Sequence, residues 1–246
     1  ILSITAAKEA AVEARLREER FRAELITNLT HDLRTPLTSI VSYVDLIAKL
    51  ELPEPRLTEY TGVLTRKADR LKGLIGDLLD ASRASAGNLP VRLQPIGISE
   101  IVSQVAGDFD DALNARRLTW VGPPPATDVV LADGEHLYRV LENLIGNAAK
   151  YAAPGSCVHA DLDRAPHGLR LRISNRTSEP LSVRPAELTA QFVRGDTSRH
   201  GDGSGLGLFI ADRLTALMAG RLTVTVDQDR FTAAVELPLV PASLTR

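Results

Sequence analysis

His31 is followed by Asp32-Leu33-Arg34-Thr35-Pro36-Leu37, a run with the parts of an activated nucleophile. Asp32 could accept a hydrogen bond from the imidazole Nδ1–H, which leaves the Nε2 lone pair free to attack. Thr35, about one turn on, puts a hydroxyl on the same helix face. Pro36 removes a helical hydrogen bond and bends the chain beside it. An isolated histidine on an amphipathic helix is ordinarily a solvated surface residue. A bend next to a carboxylate-paired one is hard to explain by stability.

A second run, Arg139 to Tyr151, sorts by face. Leu141, Leu144, Ile145 and Ala148 form an apolar stripe, while Asn143, Asn147, Lys150 and Tyr151 recur at three- and four-residue spacing on another face. Asparagine is a poor residue for a helix interior, and solvation of a surface face is the competing explanation for the pair. A face of amide oxygens, a cation and a phenol suits a hydrated Mg²⁺ holding phosphates, because Mg²⁺ takes few protein ligands and completes its shell with water and phosphate oxygens.

The third run is Gly201-Asp202-Gly203-Ser204-Gly205-Leu206-Gly207-Leu208, with four alternating glycines leading into a helix. Glycine permits close backbone approach, and the helix start offers N–H groups to anions. No Gly-Lys-Ser/Thr follows, so it is not a Walker loop, and no preceding strand makes it a dinucleotide-binding turn.

The elements that must position these groups follow from hydrophobic spacing. Residues 4–50 read as helix, and from Ile26 the apolar positions step through Leu29, Leu33, Ile40, Tyr43 and Ile47 in a seven-residue rhythm. That register puts His31 opposite the apolar seam. Pro53 and Pro55 break the helix. A second one carries Leu57, Tyr60, Leu64, Leu71, Leu74 and Leu78. The pair makes an antiparallel hairpin with too little core to stand alone, so a homodimer closing a four-helix bundle is the economical solution. The small-residue stretch 82–88 reads as a linker. Beyond it, helices are expected over 98–117, 134–152 and 205–219, with strands at 118–121, 129–131, 158–162, 169–174, 222–226 and 233–237. The expected fold class is therefore a helical hairpin followed by an α/β sandwich.

Composition narrows the partners. The 246 residues have a net charge of −2, 44% hydrophobic and 24% charged residues, and a single cysteine, Cys157. Nothing in the balance calls for nucleic acid, and one Trp among 4% aromatics argues against a base-stacking platform. Cys157 alone excludes an internal disulfide and a multi-cysteine zinc site. No stretch reaches 18 apolar residues. The start at Ile1 suggests the cytoplasmic piece of something longer.

His31 to Leu37 resembles the H-box of the sensor histidine kinases of two-component systems, unbroken in the pattern His-acidic-x-Arg-Thr-Pro-Leu. Residues 139–151 resemble the N-box of the same family and Gly203 to Leu208 its G2 box. Arg194 to Arg199 resembles the segment leading into the ATP lid. Phe192 fits the second Phe of the F-box, and Thr189 stands where the first would be. The departure is the G1 box: Ile173-Ser174-Asn175-Arg176-Thr177-Ser178-Glu179 has no glycine, and Asn175 takes the place of the Asp that accepts from the adenine amino group. A neutral acceptor is weaker than a charged one, which weakens nucleotide binding without abolishing it.

The resemblance spans about residues 20–240. It implies a signalling helix over 1–20, a dimerisation and histidine phosphotransfer domain over 21–88, and an ATP-binding domain of the Bergerat-type fold over 89–246. It implies that His31 accepts the γ-phosphoryl of ATP, with Asp32 its acid/base partner, and that Thr35 positions water when a phosphorylated regulator is dephosphorylated. Asn147 and Asn143 would hold Mg²⁺, and Lys150 and Tyr151 the phosphates. Asn175 would meet the adenine, with Gly203, Gly205, Leu206, Gly207 and Leu208 forming the ATP loop. The implied partners are a response regulator receiver domain and a second copy of the chain. A membrane would enter only through segments outside this sequence, as in the cytoplasmic portion of a membrane-anchored bacterial sensor. Related ATPases of gyrase, MutL and Hsp90 type carry a glutamate base where Asn143 stands, so transfer to histidine is favoured over hydrolysis. The alternative is a relative impaired in ATP binding and biased toward phosphatase or scaffold roles.

Overall fold

The structure, a computed structural model, describes residues 33–48, 54–85, 89–124, 128–166, 168–178 and 206–240. The chain divides into two compact units, Ile1–Leu79 and Asp80–Arg246.

In the first unit, helix α1 covers residues 33–48, so the expected helix is described only in its second half. Helix α2 runs from Glu54 to Ser85. It starts three residues before the first expected apolar position, because Pro55 at the first turn gives up an N–H that would have no partner there. Tyr43 of α1 meets Tyr60 of α2 edge-on, with centroids 5.1 Å apart. Since one lies near the end of its helix and the other near the start, the helices fold back as a hairpin. Leu74 is buried, but Leu37, Val41 and Val44 on α1 and Leu57, Ile75 and Leu79 on α2 are exposed, Val41 by 54%. The expected linker at 82–88 is helical as far as Ser85, an extension that Arg83 in the last turn favours against the helix dipole.

The second unit begins with strand β1 (Gln94–Gly97), helix α3 (Ile98–Asp108) and helix α4 (Asp110–Ala115). The single helix expected over 98–117 is broken at Phe109, whose backbone leaves helical geometry. Its ring is seated so close to Gly146 that a Cβ there would lie 3.2 Å from it. Then come β2 (Thr119–Val121), β3 (Val129–Ala132), helix α5 (Gly134–Tyr151), β4 (Cys157–Ala165), β5 (Gly168–Arg176), helix α6 (Gly207–Leu217), β6 (Arg221–Asp227) and β7 (Arg230–Leu237).

Five strands form one sheet in the order β2-β4-β5-β7-β6, with β2 parallel to β4 and the other neighbours antiparallel. The expected strand at 129–131 does not join it. β3 pairs with β1 in a separate two-stranded sheet. There the chain returns after β7, with Leu131 N–H donating to Pro238 at 2.9 Å. Alternation along β5 turns Leu169, Leu171, Ile173 and Asn175 to the helical side, where Val158, Ala160, Ala233 and Val235 join them. Leu141, Ile145, Phe209 and Ile210 close the core from α5 and α6. Each large side chain so buried contributes about 1.5–3 kcal/mol.

Candidate functional site

Asp133 starts α5. Its carboxylate accepts from the N–H groups of Glu135 and His136 at 3.1 Å, and from Arg92 N–H at 2.7 Å. Burial pushes the Asp133 carboxyl up, but the amide bonds from Arg92, His136 and Glu135 and the His136 charge outweigh it, holding it below the usual carboxylate value. This cap was not among the expected functional residues. Its signal is an Asp immediately before a helix with Glu two residues on.

The apolar stripe of α5 is buried through Leu137, Val140, Leu141, Leu144, Ile145, Ala148 and Ala149. The opposite polar face leaves Asn143, Asn147 and Lys150 half-buried and Tyr151 exposed. Asn143 Nδ2 donates to the Arg139 carbonyl at 2.8 Å. Its Oδ1 lies so near α6 that a Cβ placed on Gly207 would be 2.8 Å from it, and 3.8 Å from Asn147 Nδ2. The last loop glycine is therefore in tight contact with the asparagine face: a Cβ at Gly207 would have to displace the Asn143 amide. Leu206 is fully buried and its carbonyl accepts from Ile210 N–H at 2.8 Å, which seats the first turn. Leu208 follows within that turn. The result is a corner where two amide side chains meet the positive end of a helix, an arrangement suited to phosphate.

Glu142, the only carboxylate near the position of a hydrolytic base on this helix, is paired with Arg139. Lys150 Nζ stands 5.3 Å from the Tyr151 ring centroid. Asn175 lies on β5 with 4% exposure, and its Nδ2 donates to the Arg176 carbonyl at 3.2 Å. The ends of β5 and α5 are stitched together by Ala153 N–H to the Arg176 carbonyl at 2.7 Å, which brings Asn175 alongside the last turn of α5.

The structure thus gathers Asn143, Asn147, Leu206, Gly207 and Leu208 in one corner, with Lys150 and Tyr151 at the end of the same helix and Asn175 on the adjoining strand. Thr35 is exposed on α1 in the other unit. His31, Asp32, Gly203 and Gly205 lie outside the described residues. A cavity of about 290 Å³ lined by Ser156, Cys157, His159, Ser174, Asn175, Arg176 and Arg230 shares only Asn175 with the expected site residues. Strand alternation turns His159, Ser174 and Arg176 away from the helices, and Arg176 is paired with Asp229 at 2.6 Å.

The donor set fits Mg²⁺. Among the described residues no group of three or more His, Cys, Asp or Glu could hold a metal. The hard oxygens available at the corner are amide oxygens, of which Asn143 Oδ1 is held toward Gly207. A cation content with few protein ligands and several phosphate oxygens matches that supply. No helix among the described residues is long and apolar enough to cross a membrane.

Residues 21–87 match the His Kinase A (phospho-acceptor) domain, and residues 132–241 the histidine kinase-, DNA gyrase B- and HSP90-like ATPase. The sensor histidine kinase GacS of Pseudomonas protegens is 31% identical over 91% of this chain and 25% of its own length. The sensor protein VanSC of Enterococcus gallinarum is 30% identical over 89% of this chain and 62% of its own. The chain therefore spans between a quarter and under two thirds of these relatives. Among solved structures, full-length ShkA in complex with AMPPNP is 26% identical with a TM-score of 0.62, covering 90% of this chain and 47% of that one. A phospho-acceptor domain followed in sequence by this ATPase domain, the second carrying the corner of expected asparagines and glycine, places the chain in a single family: it belongs to the sensor histidine kinases of two-component systems.

Proposed function

We propose that this chain is a histidine kinase core that phosphorylates His31 from ATP and passes the phosphoryl group to an aspartate of a response regulator. The observation that carries the reading is the seating of Asn143 and Asn147 against Gly207 at the start of α6. Residues 21–88 serve as the dimerisation and phosphotransfer hairpin and 89–246 as the ATP-binding domain. Family membership supports the regulator as partner, and the AMPPNP complex of ShkA supports ATP as the nucleotide.

In this reading the first-turn amides of α6 and Lys150 face the phosphates, and Tyr151 closes their edge. Asn147 and Asn143 hold Mg²⁺, which when bound neutralises phosphate charge. Asn175 accepts from the adenine amino group. Asp32 accepts from Nδ1–H of His31, so that Nε2 is the attacking atom and ADP the leaving group. With Asn143 neutral and Glu142 engaged by Arg139, no carboxylate on α5 is placed to take a proton from water. Catalysis is then mostly positioning and charge neutralisation. A homodimer is supported by the apolar surface that α1 and α2 leave exposed.

The test is incubation with Mg²⁺ and γ-labelled ATP beside His31→Gln and Asn147→Ala. Acid-labile label on the wild type, absent from both variants, is the expected result. No label at saturating ATP would overturn the kinase reading and favour a phosphatase or scaffold role.

A further inference from the structure

We propose that Arg116 is a positioning residue for the nucleotide site, acting through the last turn of α5; this rests on the assignment of Lys150 and Tyr151 to the phosphates. An α-helix ends with four carbonyls that lack helical partners. At the end of α5 one is taken by Ala152 N–H, which donates to Ala148 at 2.9 Å. Arg116 takes the next two and one beyond. Its Nη1 donates to the carbonyl of Ala149 at 2.9 Å and to that of Lys150, and its Nη2 donates to Ala152 at 2.7 Å.

The residue is itself held. Arg116 N–H donates to Leu113 at 3.1 Å, and its carbonyl accepts from Gly155 N–H at 3.1 Å. Arg117 adopts φ 57° where the chain turns from α4 into β2. The guanidinium is a planar fork with fixed donor directions, and its charge faces the negative end of the helix dipole. Lysine offers one compact ammonium and does not span three carbonyls.

Helix ends ordinarily fray. Here the turn that would fray carries Lys150 and Tyr151, and the Lys150 carbonyl is itself one of the clamped groups. Asn147 and Asn143 lie about one and two turns further back, fixed by the buried stripe beside them. Arg116 therefore acts on the phosphate end of the site chiefly through Lys150, whose carbonyl it holds, and leaves the asparagine corner in place. It sits outside all the motifs that mark the site, in the turn after α4.

The test is a double-mutant cycle on the 246-residue chain, reading Mg²⁺-AMPPNP affinity by calorimetry for wild type, Arg116→Ala, Lys150→Ala and the double variant, with Asn147→Ala alongside. Arg116→Ala is expected to weaken binding roughly tenfold in the wild-type background and less than about twofold once Lys150 is gone. A purely structural role predicts the same loss in both backgrounds, and that result, or no loss at all, overturns the inference. If Arg116→Ala does not fold, Arg116→Lys enters the same cycle, with a smaller loss that must also vanish beside Lys150→Ala. Unchanged affinity in Asn147→Ala would instead remove the nucleotide-site assignment itself. Loss in Asn147→Ala with none in Arg116→Ala removes only the clamp.

Discussion

Asn143 and Gly207 are 64 residues apart in sequence, yet a single methyl group on Gly207 would sit 2.8 Å from Asn143 Oδ1. The Asn143 amide is turned that way by its own helix, since Nδ2 is bound to the Arg139 carbonyl. The start of α6 and the polar face of α5 are thus one surface, with no room for a side chain between them.

Gly207→Ala should therefore separate fold from binding. The new Cβ must push Asn143 aside, while the helix itself gains a better helix former. Mg²⁺-AMPPNP affinity is expected to fall at least about tenfold, equivalent to about 1.4 kcal/mol, with a melting temperature near that of the wild type. Unchanged affinity by calorimetry would show that the corner is not the phosphate site.

Asn175→Asp should tighten nucleotide binding. Asn175 is almost fully buried at the end of β5, and a carboxylate acceptor makes a stronger bond to an amino donor than a neutral amide oxygen. A gain of about three- to tenfold is expected for AMPPNP, corresponding to about 1 kcal/mol. The same substitution should change the affinity for a guanine nucleotide little or adversely, because the 6-oxygen of guanine is an acceptor where adenine has an amino donor.

Asp133→Ala removes the cap of α5 and the tie to Arg92, and should cost about 1–2 kcal/mol of stability by denaturant unfolding at pH 7. The acid dependence follows in sign. The folded Asp133 carboxyl lies below its ordinary 3.8, so its contribution is complete above that value and disappears as pH falls through the lower folded one. Between about pH 5 and 3 the melting temperature of Asp133→Asn should fall less steeply than that of the wild type, and parallel curves would contradict the assignment.

Val41→Glu should convert a dimer to monomers. Leu37, Val41 and Val44 recur at four- and three-residue spacing on α1 and are about half exposed in the single chain, a stripe that a second copy would cover. Sedimentation velocity should show a loss of mass by half at micromolar concentration, with the ATPase-domain melting transition retained.

Much of this was legible in the sequence because it is local. The heptad spacing around Tyr43 and Tyr60 marks two long helices without a partner in view, and the spacing of Asn143, Asn147 and Lys150 marks a polar face before any neighbour is known. The helix-to-strand order of the second unit beyond β1, which is not among the expected strands, follows from the same periodicities. Other features rest on pairing between distant segments, for which one chain carries no local signal. β3 leaves the main sheet for β1 because strand partners are chosen by register and edge availability, not by composition. The expected helix at 98–117 breaks at Phe109 because the ring finds its seat against Gly146, on another helix. Arg116 reads as one more surface cation until the fold lays it under three carbonyls of α5. Residue types and spacing determined which groups this protein brings to its chemistry. Only the packing of α5 against α6, and of the α4 turn under the end of α5, decided which of them meet, because excluded volume and hydrogen-bond geometry act between segments that the sequence keeps far apart.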